Sequence, residues 1–210
     1  IWDNAYIVHD LNDTPDKLLN IFDEAKKCGS ENMFIEVIST SKISFAGGGI
    51  SAVIASDANI AEIKKRMSIQ IISNDKINQL RHARYFKNLD GIKAHMKKLA
   101  AILKPKFNAV TDGFEKAFDG TGIASWKKPN GGYFISLFVM NGCAKRVGQL
   151  CKEAGLTLTT VGATYPYGID PDDSNIRIAP SYPDVDELKK AGELLCICVK
   201  LAAAEKLMEE

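Results

Sequence analysis

Lys42 stands in the run ISTSKISFAGGGISA, behind Ser39, Thr40 and Ser41 and ahead of Gly47, Gly48 and Gly49. A lysine amine becomes a nucleophile only when it sheds its proton, through desolvation or a cationic neighbour. Condensation with an aldehyde is chemistry such an amine supports. Hydroxyls at a strand end and glycines that let backbone approach closely suit a phosphate, so the constellation suits a phosphorylated aldehyde. Read alone, such a run is more often an ordinary turn carrying a surface cation than a site. Asp3 adds a carboxylate able to keep a pyridine nitrogen protonated, and Tyr6 a phenol able to donate to a ring oxygen. Arg177, in NIRIAP, offers a two-pronged donor for a carboxylate that lysine could not reproduce, or else one half of a surface ion pair.

These residues need a scaffold that brings them together. NDTPDKLLNIFDEAKKCGS predicts a helix capped at Thr14 with Pro15 in its first turn, its apolar face formed by Leu18, Leu19, Phe22 and Ala25. MFIEVIS predicts a buried strand, so the opening IW, this helix and MFIEVIS make one βαβ unit. Ligands of open α/β sheets gather beyond the carboxyl ends of the strands, which here are Asp3 and the segment Ser39 to Lys42. SAVIAS predicts a further strand, followed by a helix from about Asn59 to Met67.

From Asp75 to about Phe118 the pattern is helical, with breaks expected near Asp90-Gly91 and at Pro105. Leu80, Tyr85, Phe86, Met96, Leu99 and Ile102 are the expected buried positions. IASWKKPNGGYFISLFV reads as two strands around a Pro-Asn-Gly-Gly turn. A helix (CAKRVGQLCKEAG), a strand (LTLTTVG), a short strand (NIRIAPSYP) and a closing helix begun near Asp184 or Asp186 complete the second half.

The 210 residues are 46% hydrophobic and 25% charged, which suits a folded globular chain. A formal net charge of +1 gives no basic surplus for nucleic acid or an anionic membrane. No apolar run reaches the length of a membrane helix, and the five cysteines show neither a CxxC pair nor a disulfide framework. A cytoplasmic protein with reduced thiols is expected. His9, His82 and His95 are scattered singly and suggest no metal site. The opening IWDNAY, without methionine, has the character of a cut made inside a strand.

The order DNAY, STSK, NGGYF and IRIAP resembles the fold-type I pyridoxal-phosphate aminotransferases across nearly the whole chain. DKINQLRHARYF, WKKPNGGYFISL and TYPYGIDPDDSNIRIAPSYP are similar to the subgroup called aspartate-aminotransferase-like or MocR-like. The resemblance implies an α/β fold: residues 1–75 as the C-terminal portion of the large cofactor domain, 76–120 as a helical connector and 121–210 as an α+β small domain. It also implies pyridoxal 5'-phosphate as cofactor, Lys42 as its Schiff-base lysine, Asp3 at the pyridine nitrogen and Tyr6 at the ring oxygen. Ser39 and Ser41 would hold phosphate, and Arg177 the substrate carboxylate.

Amino acid and 2-oxo acid substrates, with aspartate favoured, and a homodimer follow from the same resemblance. Arg81 and Arg84 are then candidates for a side-chain carboxylate. A β-lyase or decarboxylase keeps the same cofactor, and a catalytically silent binding module is the reading for this chain in isolation. Many members place an arginine eight residues after the lysine, where this chain has Ile50, and amides of Gly47 to Gly49 could compensate as an anion nest. The family's N-terminal half has no counterpart in the sequence.

Overall fold

The computed structural model describes residues 1–209, which separate into two compact units, residues 1–98 and a second from Leu99 onward. In the first unit, strand β1 (Trp2–Asp3), helix α1 (Ile21–Lys27) and strand β2 (Ile35–Ser39) make the expected βαβ unit. β1 and β2 are parallel, Asp3 facing Val37, and the Asn4 N–H continues the ladder to the Val37 carbonyl at 2.8 Å. Both strands therefore end on the same edge of the sheet. β3 (Ser51–Ala55) runs antiparallel to β2 in the order β1-β2-β3, with Ser39 opposite Ser51. As an edge it leaves Val53 and Ile54 in solvent, a surface open to pairing.

Helix α1 starts six positions later than the Thr14 cap predicts. Asn20 is the cap: its side-chain oxygen accepts from the Phe22 N–H at 3.1 Å, and Asp23 and Glu24 sit in the first turn where the helix dipole favours them. Leu18 and Leu19 are left outside the helix and exposed. Helix α2 (Asp57–Gln70) is capped by Ser56, and α3 (Lys76–Phe86) by Asp75, whose carboxylate accepts from the Asn78 N–H at 2.9 Å.

The break between α3 and α4 (Leu89–Phe118) falls at Lys87, in the left-handed region at φ 62°, rather than at Gly91 or Pro105. Asn88 opens α4 by accepting from the Gly91 N–H at 3.0 Å. Pro105 is tolerated because it and Ala101, whose carbonyl loses its donor, lie on the solvent face. Leu80, Tyr85 and Ile102 are exposed, contrary to the sequence pattern, whereas Phe86 and Met96 are buried.

At the α3–α4 junction a Cβ on Gly91 would lie 1.8 Å from the Phe86 carbonyl oxygen, which is backbone and cannot swing aside. Gly91→Ala is expected to cost about 2 kcal/mol by overpacking, a fall of roughly 4–8 °C in Tm, measurable by thermal denaturation. An unchanged Tm would show that the junction relaxes freely.

In the second unit β4 (Ala124–Trp126), β5 (Ile135–Val139) and β6 (Asn175–Ile178) form an antiparallel sheet in that order. The α4 residues Phe107, Val110, Phe114 and Phe118, spaced three and four apart, are buried, as are Ile135, Leu137 and Ile176 from the strands. Helices α5 (Ala144–Glu153) and α6 (Val185–Glu209) are joined by the Arg146 guanidinium, which donates to both Glu205 carboxylate oxygens at 2.6 and 2.7 Å. Asp184 caps α6 through the Glu187 N–H at 2.8 Å.

The predicted strand LTLTTVG is irregular chain. β6 already pairs with β5, and Leu156 to Thr159 line a cavity instead of extending the sheet. Burial pushes the Cys151 thiol up to about 12, with Cys198 adding to the effect, and the Cys196 thiol up to about 11, so both are chemically quiet. Among the described residues no helix is long and apolar enough to cross a membrane, and no group of three His, Cys, Asp or Glu side chains could hold a metal.

Candidate functional site around Lys42

Lys42 lies in the turn that follows β2, on the sheet edge where β1 also ends, and its side chain is exposed. The Ser39 hydroxyl donates to the Ser41 hydroxyl at 3.0 Å and accepts from the Ser41 N–H at 3.1 Å, so the two hydroxyls that precede the lysine lie together. On β1, the Asp3 carboxylate is exposed and accepts the Ala5 N–H at 3.1 Å, turning the chain after the strand. Tyr6 packs edge-on against His9 with ring centroids 5.3 Å apart, and the Nε2–H of His9 donates to the Lys42 carbonyl at 3.3 Å. The segment after β1 thus reaches the lysine turn through its backbone.

Thr40, expected among the anion-binding hydroxyls, is used to close the loop. Its N–H donates to the Ile50 carbonyl at 2.8 Å, and its hydroxyl accepts the Ile50 N–H at 2.8 Å. Its carbonyl accepts from the N–H groups of Ile43 and Ser44, each at 2.9 Å. Ile50 therefore serves through its backbone, while its side chain joins Ile38, Ile43, Ala52 and Ile92 around an apolar cavity of about 220 Å³. An arginine there would place a charge against that apolar wall.

The glycine run is held by α3. Asn78 donates to the carbonyls of Gly48 and Gly49 at 2.8 and 3.2 Å, and the Arg81 guanidinium lies over the Phe45 ring at 5.5 Å. A Cβ on Gly49 would meet the Ser41 N and Cα at 3.0 Å, which explains a glycine at that close approach. The Gly48 N–H is spent on the Phe45 carbonyl at 3.0 Å. Of the three amides expected in an anion nest, those of Gly47 and Gly49 remain as candidates.

Sequence patterns missed the supporting histidines. His82, buried on α3, donates from Nδ1 to the Asn78 carbonyl at 2.9 Å and presents Nε2 to the hydroxyls of Ser44 at 2.7 Å and Thr40 at 3.3 Å. His95, on α4, donates from Nε2 to the Ile43 carbonyl at 2.8 Å. Nothing local in the sequence marks the contacts of His9, His82 and His95 with the lysine turn, because these join positions between 33 and 52 residues apart.

Arg177 belongs to the second unit. It stands on β6 opposite Ser136 and is half-buried, with its guanidinium carbon 4.7 Å from the centroid of the Phe134 ring. Its buried Nε has no hydrogen-bond partner among the described residues. Beside it Leu156, Thr159, Pro180, Leu188 and Leu195 help line a cavity of about 160 Å³.

The start of β6 is fixed by the buried Asp170 carboxylate, which accepts the N–H groups of Ser174 and Asn175, both at 2.8 Å. Burial alone would push this carboxyl up, but the N–H donors of Asn175, Ser174, Asp172 and Asp173 outweigh it and hold the group below its usual range. The Asn175 side chain in turn donates to the Ser136 hydroxyl at 2.8 Å and accepts from the Thr164 hydroxyl at 2.9 Å.

This arrangement has close counterparts. The chain is 45% identical over 205 residues to the aspartate aminotransferase of Corynebacterium glutamicum, covering 98% of this chain and 48% of that protein. It superposes on the crystal structure of an aspartate transaminase from the same organism with a TM-score of 0.93 at 45% identity, again over 98% of this chain and 48% of that one. The chain thus spans about half the length of these relatives, at 48% of each. The α-aminoadipate aminotransferase LysN of Thermus thermophilus, solved with N-(5'-phosphopyridoxyl)-L-leucine, shares the fold with a TM-score of 0.77 at 16% identity, over 96% of this chain and 50% of that one.

The model of the aspartate amino-transferase family matches residues 1–210, and with that full-length match the two-unit α/β chain carrying Lys42 at a strand end belongs to the aspartate amino-transferase family.

Proposed function

We propose that the whole protein is a pyridoxal-phosphate-dependent aminotransferase that moves an amino group between an amino acid, aspartate favoured, and a 2-oxo acid. It works as a cytoplasmic homodimer, of which this chain is the C-terminal half. Residues 1–75 complete the large cofactor domain, 76–120 connect, and 121–210 form the small domain. The observation that carries the reading is the shared sheet edge: Lys42 follows β2 and Asp3 ends the parallel β1, with the Ser39 and Ser41 hydroxyls between strand and lysine.

That donor set fits the cofactor: an exposed amine for the aldehyde, two hydroxyls for the phosphate, an exposed carboxylate for the pyridine nitrogen and the Tyr6 phenol for the ring oxygen. When bound, the cofactor supplies an electron-withdrawing ring that stabilises negative charge at the substrate α-carbon. Asp3 would hold the ring nitrogen protonated. Lys42, once its amine is free, would accept the proton from the substrate α-carbon and hold it for return. Arg177 binds the substrate carboxylate with two parallel N–H donors while Phe134 supports its plane. Arg81, stacked on Phe45 near the glycine run, is the candidate for the second carboxylate of aspartate.

The test is an assay of the full-length protein with L-aspartate and 2-oxoglutarate. Glutamate should appear in equal amount to oxaloacetate, and only when the oxo acid is present. Release of ammonia or carbon dioxide independent of the oxo acid would instead identify a lyase or decarboxylase.

A further inference from the structure

All three histidines of the chain converge on one five-residue segment, Thr40 to Ser44. We propose that His9, His82 and His95 are positioning residues that clasp this turn and thereby set where the Lys42 amine stands. The proposal rests on the reading of Lys42 as the cofactor lysine and deepens it.

The turn's own N–H groups converge on the Thr40 carbonyl, which accepts from both Ile43 and Ser44. Two further carbonyls of the turn are met by imidazoles: that of Lys42 by His9 at 3.3 Å and that of Ile43 by His95 at 2.8 Å. A carbonyl can only accept, so both rings must carry their proton on Nε2. His82 has the opposite arrangement, with Nδ1–H given to Asn78 and Nε2 turned to the Ser44 and Thr40 hydroxyls.

The clasp is assembled from three separate pieces of chain, the segment after β1, helix α3 and helix α4. Each ring is held against an aromatic neighbour: His9 by Tyr6 at 5.3 Å, His82 by Phe86 at 6.0 Å, and His95 by Phe86 at 5.4 Å and Tyr85 at 5.8 Å. An exposed lysine on a loop samples many positions, and fixing its backbone on both sides of the side chain removes much of that freedom before any ligand arrives.

The experiment uses the full-length protein and the variants His82→Leu, His95→Leu and His95→Gln. Glutamine places an N–H donor close to where the imidazole Nε2–H stood, whereas leucine fills space without donating. Two readouts are taken: hydrogen exchange of the 40–50 segment without cofactor, and the fraction of Lys42 fixed by borohydride at subsaturating pyridoxal phosphate.

Both leucine variants should raise exchange in 40–50 while leaving 135–139 protected, and should lower labelling at Lys42 about tenfold or more, the effect of losing at least one hydrogen bond to the turn. His95→Gln should restore both readouts to within about threefold. Leucine variants that match wild type, or exchange that rises equally along the whole chain, or a glutamine variant no better than leucine, would overturn the clasp. If wild-type Lys42 takes no label at all, the cofactor reading fails, and the exchange pattern alone then decides whether the histidines hold the turn.

Discussion

Lys42→Ala in the full-length protein should lower amino transfer by at least about a thousandfold, because under the proposed function the variant would lose both the amine that holds the cofactor and the base that moves the α-proton. The fold should be untouched. Lys42 is exposed, and its carbonyl, which accepts from His9, is a backbone atom that alanine keeps. A change in stability within about 0.5 kcal/mol is therefore expected. Steady-state amino transfer and a thermal melt on the same preparation check both halves. A variant that melts early says that Lys42 supports the turn, and one that keeps substantial turnover removes it from the chemistry.

The second large effect is at Arg177. Arg177→Lys should reduce kcat/KM for the amino donor about 10- to 100-fold, mostly through KM, with cofactor affinity unchanged. A lysine replaces a planar two-pronged donor with a point charge and gives up the stacking on Phe134, where the guanidinium carbon now lies 4.7 Å from the ring centroid. The Nε of Arg177 is buried without a partner among the described residues, so the side chain retains donor capacity for a ligand. Kinetics with several amino acids and a separate cofactor titration distinguish the outcomes. Unchanged kinetics for every donor would make Arg177 a packing residue.

Much of the scaffold was legible because it depends on residue type and on order along the chain. The βαβ unit, the serines before Lys42 and the β5–β6 strands with Arg177 all follow from period and composition. What failed were elements decided by competition between neighbours. Thr14 followed by Pro15 looks like a helix start, but Leu18 and Leu19 are exposed and the cap forms at Asn20. The β-branched run at 156–161 has strand propensity, but β6 already pairs with β5 and the run lines a cavity beside it. The histidines were illegible for another reason: their meaning lies in carbonyls and hydroxyls more than 30 residues away, which no local pattern encodes. Ile50 is explained the same way, by an apolar cavity that only the folded chain creates.

The central claim is that Lys42 is the residue that covalently holds pyridoxal phosphate. The most direct measurement is to incubate the full-length protein with the cofactor, reduce with borohydride, digest, and locate the added mass. The adduct should lie on Lys42, in the peptide containing STSKISF, in one equivalent per chain, and a substrate amine added before reduction should suppress it. An adduct on any other lysine, with Lys42 unmodified, would contradict the account.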